Sequence, residues 1–238
     1  MKIAALFPVT VEPTLEKVGI DLLQQSASPG TEIVAFFDKH KTFAYSGELE
    51  SRSVDSIKHA VYAEKNGFDA VLVAALCDFT LMSVRGAVKI PVIGMGMATY
   101  LAAYHLAAKF ACISISKDWT PVFIKAVKQA GCYERMTSMR DLPKALKFPI
   151  PEDYYTQEEF EEEVKKIAKR QVEEEGAQLL VIICGLTSVL LPPGGIERLS
   201  KELGIIVVDP MDIAVKTTEL FVNLGLAHSK IEYPQMEF

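Results

Sequence analysis

The feature that most constrains the fold is a set of short apolar runs separated by segments of helical period. The runs are Lys2–Phe7, Glu32–Phe37, Ala70–Leu76, Val92–Gly94, Ala111–Ile115, Leu179–Cys184 and Ile205–Val208. They are rich in Val, Ile and Leu, and several are apolar on both faces. Strands of that kind belong in a parallel sheet covered by helices on each side. The intervening segments repeat at 3.6 residues: Val54, Ile57, Ala60 and Val61 share one predicted face, and Phe160, Val164, Ile167 and Ala168 another. Strand and helix alternate throughout, which predicts a doubly wound parallel-sheet α/β fold.

Half of the 238 residues are hydrophobic, enough for a substantial core. The net charge of −6, with no basic block, argues against a nucleic-acid partner. No apolar run reaches membrane-spanning length, and MKIAALFPVT reads as a first strand rather than a signal peptide. Four cysteines, at 77, 112, 132 and 184, form no CxxC pair and suggest no disulfide framework. These features predict a cytoplasmic protein with a small-molecule substrate and no nucleic-acid or membrane partner. The acidic run at 159–167 is the solvated face of a helix. The stretch 141–155, with three prolines, reads as a connecting loop.

A weak internal repeat organises the chain. AEKNGFDAVLVAALCDFT leads to IPVIG, and VEEEGAQLLVIICGLTS leads to IIVVDP. Each copy is a helix end, a glycine, a buried strand, a cysteine, a polar turn, a helix and another strand. Gly67 and Gly176 fit helix C-caps. The expected division is a first domain of residues 1–96 plus 209–238 and a second of 97–208. Ligands bind beyond the carboxyl ends of strands in open α/β sheets. Cys77 and Cys184 both sit at such ends, so two related halves would point them at one cleft.

Two facing thiols can do carbon-acid chemistry. A thiol has a reference pKa of about 8.5 and is partly ionised near neutrality. One thiolate removes a proton beside a carbonyl, and a thiol opposite returns one to the other face. The result is inversion without a cofactor. The enolate between the steps needs prearranged hydrogen-bond donors. The turns after each cysteine are placed to supply them: Asp78, Phe79 and Thr80 in one copy, Gly185, Leu186 and Thr187 in the other. Most buried cysteines are inert, and Cys112, inside KFACISIS, and Cys132, in QAGCYER, are read as structural.

The chain resembles the aspartate/glutamate/hydantoin racemase superfamily, and within it the hydantoin and allantoin racemase branch. The resemblance is carried by LFPVT (6–10), GELESRSVDSIKHA (47–60), GFDAVLVAALCD, IPVIG, KFACISIS, EGAQLLVIICG (175–185) and LGIIVVDPMDIAVK (203–216). It implies two similar α/β domains, a cofactor-independent racemase acting on a 5-substituted hydantoin or related ureide, and a homo-oligomer. Cys184 falls on the second family cysteine without a gap. At the first, an ungapped alignment places Ala75, with Cys77 two residues later. The repeat agrees, since Gly67 to Ala75 and Gly176 to Cys184 span equal lengths. Two residues along a strand return to the same face, so Cys77 is the expected first thiol. The displacement keeps other readings open: a one-cysteine arylmalonate-type decarboxylase, a cis–trans isomerase of the same superfamily, or a non-catalytic small-ligand-binding protein.

Further candidates surround the cysteines. Pro8 and Thr10 end the first strand; Thr10 is placed either to meet a substrate carbonyl or to cap the next helix. Ser51 and Arg52 lie in the matching Glu-Ser segment, where Arg52 is placed either to hold a carboxylate or to face water. Ser114 ends a strand of the second half. The four histidines have no metal spacing, and no metal or other cofactor is expected. His40 and His228 are read as surface residues, His59 and His105 as locally satisfied helical ones. GMGMAT (94–99) lacks the third glycine of a dinucleotide fingerprint and is read as a strand-to-helix turn. LPPGG (191–195) is read as a loop and helix start.

Overall fold

A computed structural model describes residues 1–7, 13–38, 53–146, 150, 153–183 and 190–235. Its chain divides into two compact units, Met1–Ala98 with Met211–Phe238, and Thr99–Pro210. In the first unit, β1 (Lys2–Phe7), β2 (Glu32–Phe37), β3 (Ala70–Val73) and β4 (Val92–Gly94) form one sheet in the order β2-β1-β3-β4. In the second, β5 (Phe110–Ser114), β6 (Met136–Asp141), β7 (Leu179–Ile183) and β8 (Ile206–Val208) take the equivalent order β6-β5-β7-β8. Among the described residues every strand pairing is parallel. The internal repeat is therefore a repeat of topology. In each unit the order reverses between the first and third strands, β1 and β3 or β5 and β7, where open α/β sheets bind ligands.

Parallel strands need crossovers, and helices supply them. The described helices are α1 (Pro13–Ser26), α2 (Ser53–Lys65), α3 (Leu81–Ala87), α4 (Met95–Leu106), α5 (Thr120–Gln129), α6 (Gln157–Glu173), α7 (Gly195–Leu203) and α8 (Pro210–Asn223); α4 runs from β4 to β5 and α8 follows β8, while the others are crossovers within a sheet. The third strands of the two sheets, β3 and β7, are buried along their whole length, as the absence of a polar face predicts. In the first unit Ala4, Leu6, Val71 and Val73 pack on Ala60 and Ala63 of α2 and Val84 and Ala87 of α3. In the second, Ala111, Ile113, Leu180 and Ile182 pack on Phe160, Val164 and Ala168 of α6 and Leu199 of α7. Each large apolar side chain buried this way contributes about 1.5–3 kcal/mol. Gly67 and Gly176 follow α2 and α6 with φ of 75° and 72°, the left-handed geometry of a C-cap.

Two local expectations change. Val54 is 55% exposed, so the buried face of α2 begins a turn later. Strand β6 has no counterpart among the predicted strands. Its sequence MTSMRD is half-buried at every position, so an edge strand shows no alternation to read. Its place is held from within by Gln171 of α6, fully buried, whose amide donates to the Cys112 carbonyl and the Ser138 hydroxyl. Among the described residues no helix is long and apolar enough to cross a membrane.

Helix α8 returns to the first unit through a buried carboxylate. Glu219 accepts from the Ser28 N–H and hydroxyl and the Thr31 hydroxyl, each at 2.7 Å, and from Lys216 at 3.2 Å. Burial alone would raise its pKa, but these donors outweigh it and bring the carboxyl down to about 2. Because the folded pKa lies below the unfolded one, the stabilisation is present above the ordinary carboxylate range and is lost as pH falls toward 2. Glu219→Gln should lower stability by about 1.5–3 kcal/mol at neutral pH, with the difference from wild type vanishing in strong acid. Urea unfolding at several pH values measures it.

Candidate active site

The first candidate thiol lies on the turn from β3 to α3. The Ala74 N–H still pairs with the Leu6 carbonyl of β1, but the Ala75 N–H turns back to Val73 and the Asp78 N–H to Ala75. The chain thus leaves the sheet at Ala75. Cys77 therefore lies inside a turn, and the two-residue strand repeat expected to return it to one face does not extend that far. Cys77 is 7% exposed, while Ala75, the position equivalent to Cys184 in the repeat, is half-buried.

The environment of the Cys77 sulfur disfavours the thiolate. Burial is the main cause, followed by the neighbouring Asp78 charge; the N–H groups of Phe79 and Cys77 act the other way. The balance pushes the thiol up to about 12. The donors expected to hold an enolate are largely engaged within the turn. The Asp78 N–H is on Ala75, and the Phe79 N–H serves the sulfur. Thr80 is 1% exposed, and among the described residues its hydroxyl has no hydrogen-bond partner.

Asp78 is the group that sequence reasoning valued for its backbone and that the structure uses through its side chain. Its carboxylate accepts from the N–H groups of Gly96, at 3.0 Å, and Met97. These are free donors of the first turn of α4. Gly94, just before that helix, offers no capping side chain, so Asp78 supplies a cap from a different turn. Burial raises its pKa to about 7, against the Met97 and Gly96 N–H groups and the charge of Arg85, which lower it. The two glycines of GMGMAT make the approach possible. A Cβ on Gly94 would stand 2.4 Å from Asp78 Oδ1, and one on Gly96 would stand 2.2 Å from the Leu76 carbonyl oxygen.

Arg85 lies behind this turn, 8% exposed. It donates to the Val92 carbonyl and the Tyr233 hydroxyl and faces the Tyr233 ring. The C-terminal segment that brings Tyr233 also brings His228, and here the surface reading fails. His228 is half-buried; its Nε2 accepts from the Val92 N–H at 2.7 Å, and burial, then the Arg85 charge, hold its pKa down at about 4. An open backbone donor on the β4 edge gives the imidazole its place, a feature that the polar neighbours of His228 in sequence do not disclose. His59 lies with Nδ1 3.5 Å from the buried Asp38 carboxylate.

In the second unit Ser114 is fully buried and its hydroxyl donates to the Ser116 carbonyl. Its proton is thereby committed within its own turn. Cys112 is fully buried and raised by burial; Cys132 is 1% exposed. Cys184, Gly185, Leu186 and Thr187 lie outside the described residues, as do Pro8, Thr10, Ser51 and Arg52. Among the described residues no group of three or more His, Cys, Asp or Glu side chains could hold a metal.

The profile of the Asp/Glu/Hydantoin racemase family matches residues 20–218. A hydantoin racemase of Paenarthrobacter aurescens is 30% identical over 234 residues, covering 97% of this chain and 94% of the relative. An allantoin racemase structure from Pseudomonas fluorescens superposes with a TM-score of 0.86 at 24% identity, covering 100% of this chain and 98% of that one. One from Klebsiella pneumoniae gives 0.85 at 23%, covering 100% and 94%. At those identities the two structures show the shared fold.

The crowding at the α4 N-terminus makes a direct test of the turn. Gly96→Ala should destabilise by about 1–3 kcal/mol, because its methyl group meets a backbone oxygen that cannot rotate away. The midpoint of urea unfolding reports it.

Proposed function

The chain belongs to the Asp/Glu/Hydantoin racemase family and is a racemase, and from that premise we propose that it inverts a 5-substituted hydantoin or related ureide without a cofactor. The acid–base groups of this reading are Cys77 and Cys184. The observation that carries it is the position of both cysteines after equivalent strands. Cys77 follows β3 and Cys184 follows β7, the third strands of two sheets with the same order. Thiols there meet the end of the sheet at which α/β proteins place ligands. The carbon acid loses its proton to one sulfur and regains one from the other, so the proton count is unchanged. The same reading expects a cytoplasmic homo-oligomer.

One observation favours a second reading. Cys77 is buried, and its thiol is pushed far above neutrality. With Ala75 at the more open position, Cys184 would work alone, as in a decarboxylase that protonates a carbanion from one side.

The two readings separate in heavy water. A single hydantoin enantiomer incubated with the enzyme in D₂O should lose optical rotation and gain one deuterium at the reacting carbon. Cys184→Ala and Cys77→Ala should each reduce kcat by about 10²–10⁴-fold. Full activity in Cys77→Ala with loss in Cys184→Ala would select the one-thiol route.

A further inference from the structure

Four features of the first unit converge on one side chain. Asp78 holds a φ of 49°, and among the described residues it is the non-glycine residue with a positive φ. Both carboxylate oxygens are occupied by N–H groups of the α4 first turn. Two glycines, at 94 and 96, leave the volume that the carboxylate fills. Leu81 then starts α3 by donating to the Asp78 carbonyl. A non-glycine residue keeps a left-handed conformation when its surroundings determine it, and here the clamp on α4 is that determinant.

We propose that Asp78 is a positioning residue for the first-unit thiol: its carboxylate, clamped on the α4 N-terminus, locks the turn that carries Cys77 and holds a negative charge beside that sulfur. This deepens the two-thiol reading and rests on it. Above its pKa of about 7 the Asp78 carboxyl is ionised, and a negative charge next to a buried sulfur stabilises S–H over thiolate. Cys77 then enters the cycle as the proton donor. The substrate C–H proton passes to the Cys184 thiolate, the electron pair stays on the substrate as an enolate, and the Cys77 S–H proton is delivered to the carbon. Cys77 is left as the thiolate and Cys184 as the thiol, so protons and charge balance. Among the described residues, the charges acting on the turn are Asp78 on Cys77 and Arg85 on Asp78. Behind Arg85 stand Tyr233 and the neutral His228.

The test is peptide-resolved alkylation of Cys77 by iodoacetamide across pH, on the full-length wild type, Asp78→Asn and Asp78→Glu. It is paired with the pH profile of kcat/KM on a 5-substituted hydantoin. Wild-type Cys77 should alkylate at least about tenfold more slowly than a free thiol at the same pH. Asp78→Asn should lower its alkylation midpoint by about one pH unit, and the alkaline limb of kcat/KM should move down in step. Asp78→Glu keeps the charge and should keep the wild-type midpoint. A residue that only supports the fold would lower the rate at every pH and leave the limb in place. An unmoved midpoint in folded Asp78→Asn, or a lowered one in Asp78→Glu, overturns the proposal. Wild-type Cys77 reacting like a free thiol overturns it whether or not either variant folds. The alkylation readout needs no substrate. A midpoint that moves in an enzyme that inverts nothing would therefore remove the racemase reading and leave the role of Asp78 standing.

Discussion

Burial of both faces of a parallel ladder governs the molecule. A strand such as LLVII has every side chain in the core and every residue paired with at least one neighbouring strand, so its interior has no place for an exposed polar function. Chemistry is confined to where the ladder stops. The two sheets share one strand order. At the end of β3 the chain turns within two residues, and the groups released from the sheet must find new partners at once. The Asp78 carboxylate and the free N–H groups of α4 satisfy each other there.

That constraint explains which parts of the fold were legible in the sequence. Central strands and the helices lying on them declare themselves by apolar period, and Phe160, Val164, Ile167 and Ala168 are buried as their spacing predicts. The edge strand MTSMRD shows no such period, because an edge is half-covered, and the buried amide that ties it to β5, Gln171, is far away in sequence. The cap on α4 is illegible for a related reason. A local cap follows from residues three apart, whereas Asp78 reaches Gly96 across a helix and a strand. The sequence signal that existed was the pair of glycines in GMGMAT. They read as a turn, and they also mark a close approach.

The same distinction separates the position of a cysteine from its reactivity. Spacing placed Cys77 at the end of a strand, four residues beyond where β3 stops. It did not show that the strand has already turned at Ala75, nor that a carboxylate stands beside the sulfur. Helix N-termini usually favour thiolates. Here the more exposed argument of proximity loses to two larger effects: burial, which acts against any charge, and Asp78, whose own charge is claimed by the donors of α4.

The two halves therefore share a topology while differing in the chemistry of their turns. In the second, the cysteine follows the strand directly and is succeeded by glycine; in the first, it comes two positions later and is succeeded by an acid. A couple that moves a proton in one side and out the other needs one base and one acid at any moment. Identical environments would leave that assignment to chance ionisation of either sulfur. In the proposed couple, an acid beside one thiol would bias the pair toward a single resting form, with the donor on the side of Asp78. The departure from strict repetition at Ala75 and Cys77 is thus consistent with a division of labour between the sulfurs, and Asp78 is the residue through which the sequence would impose it.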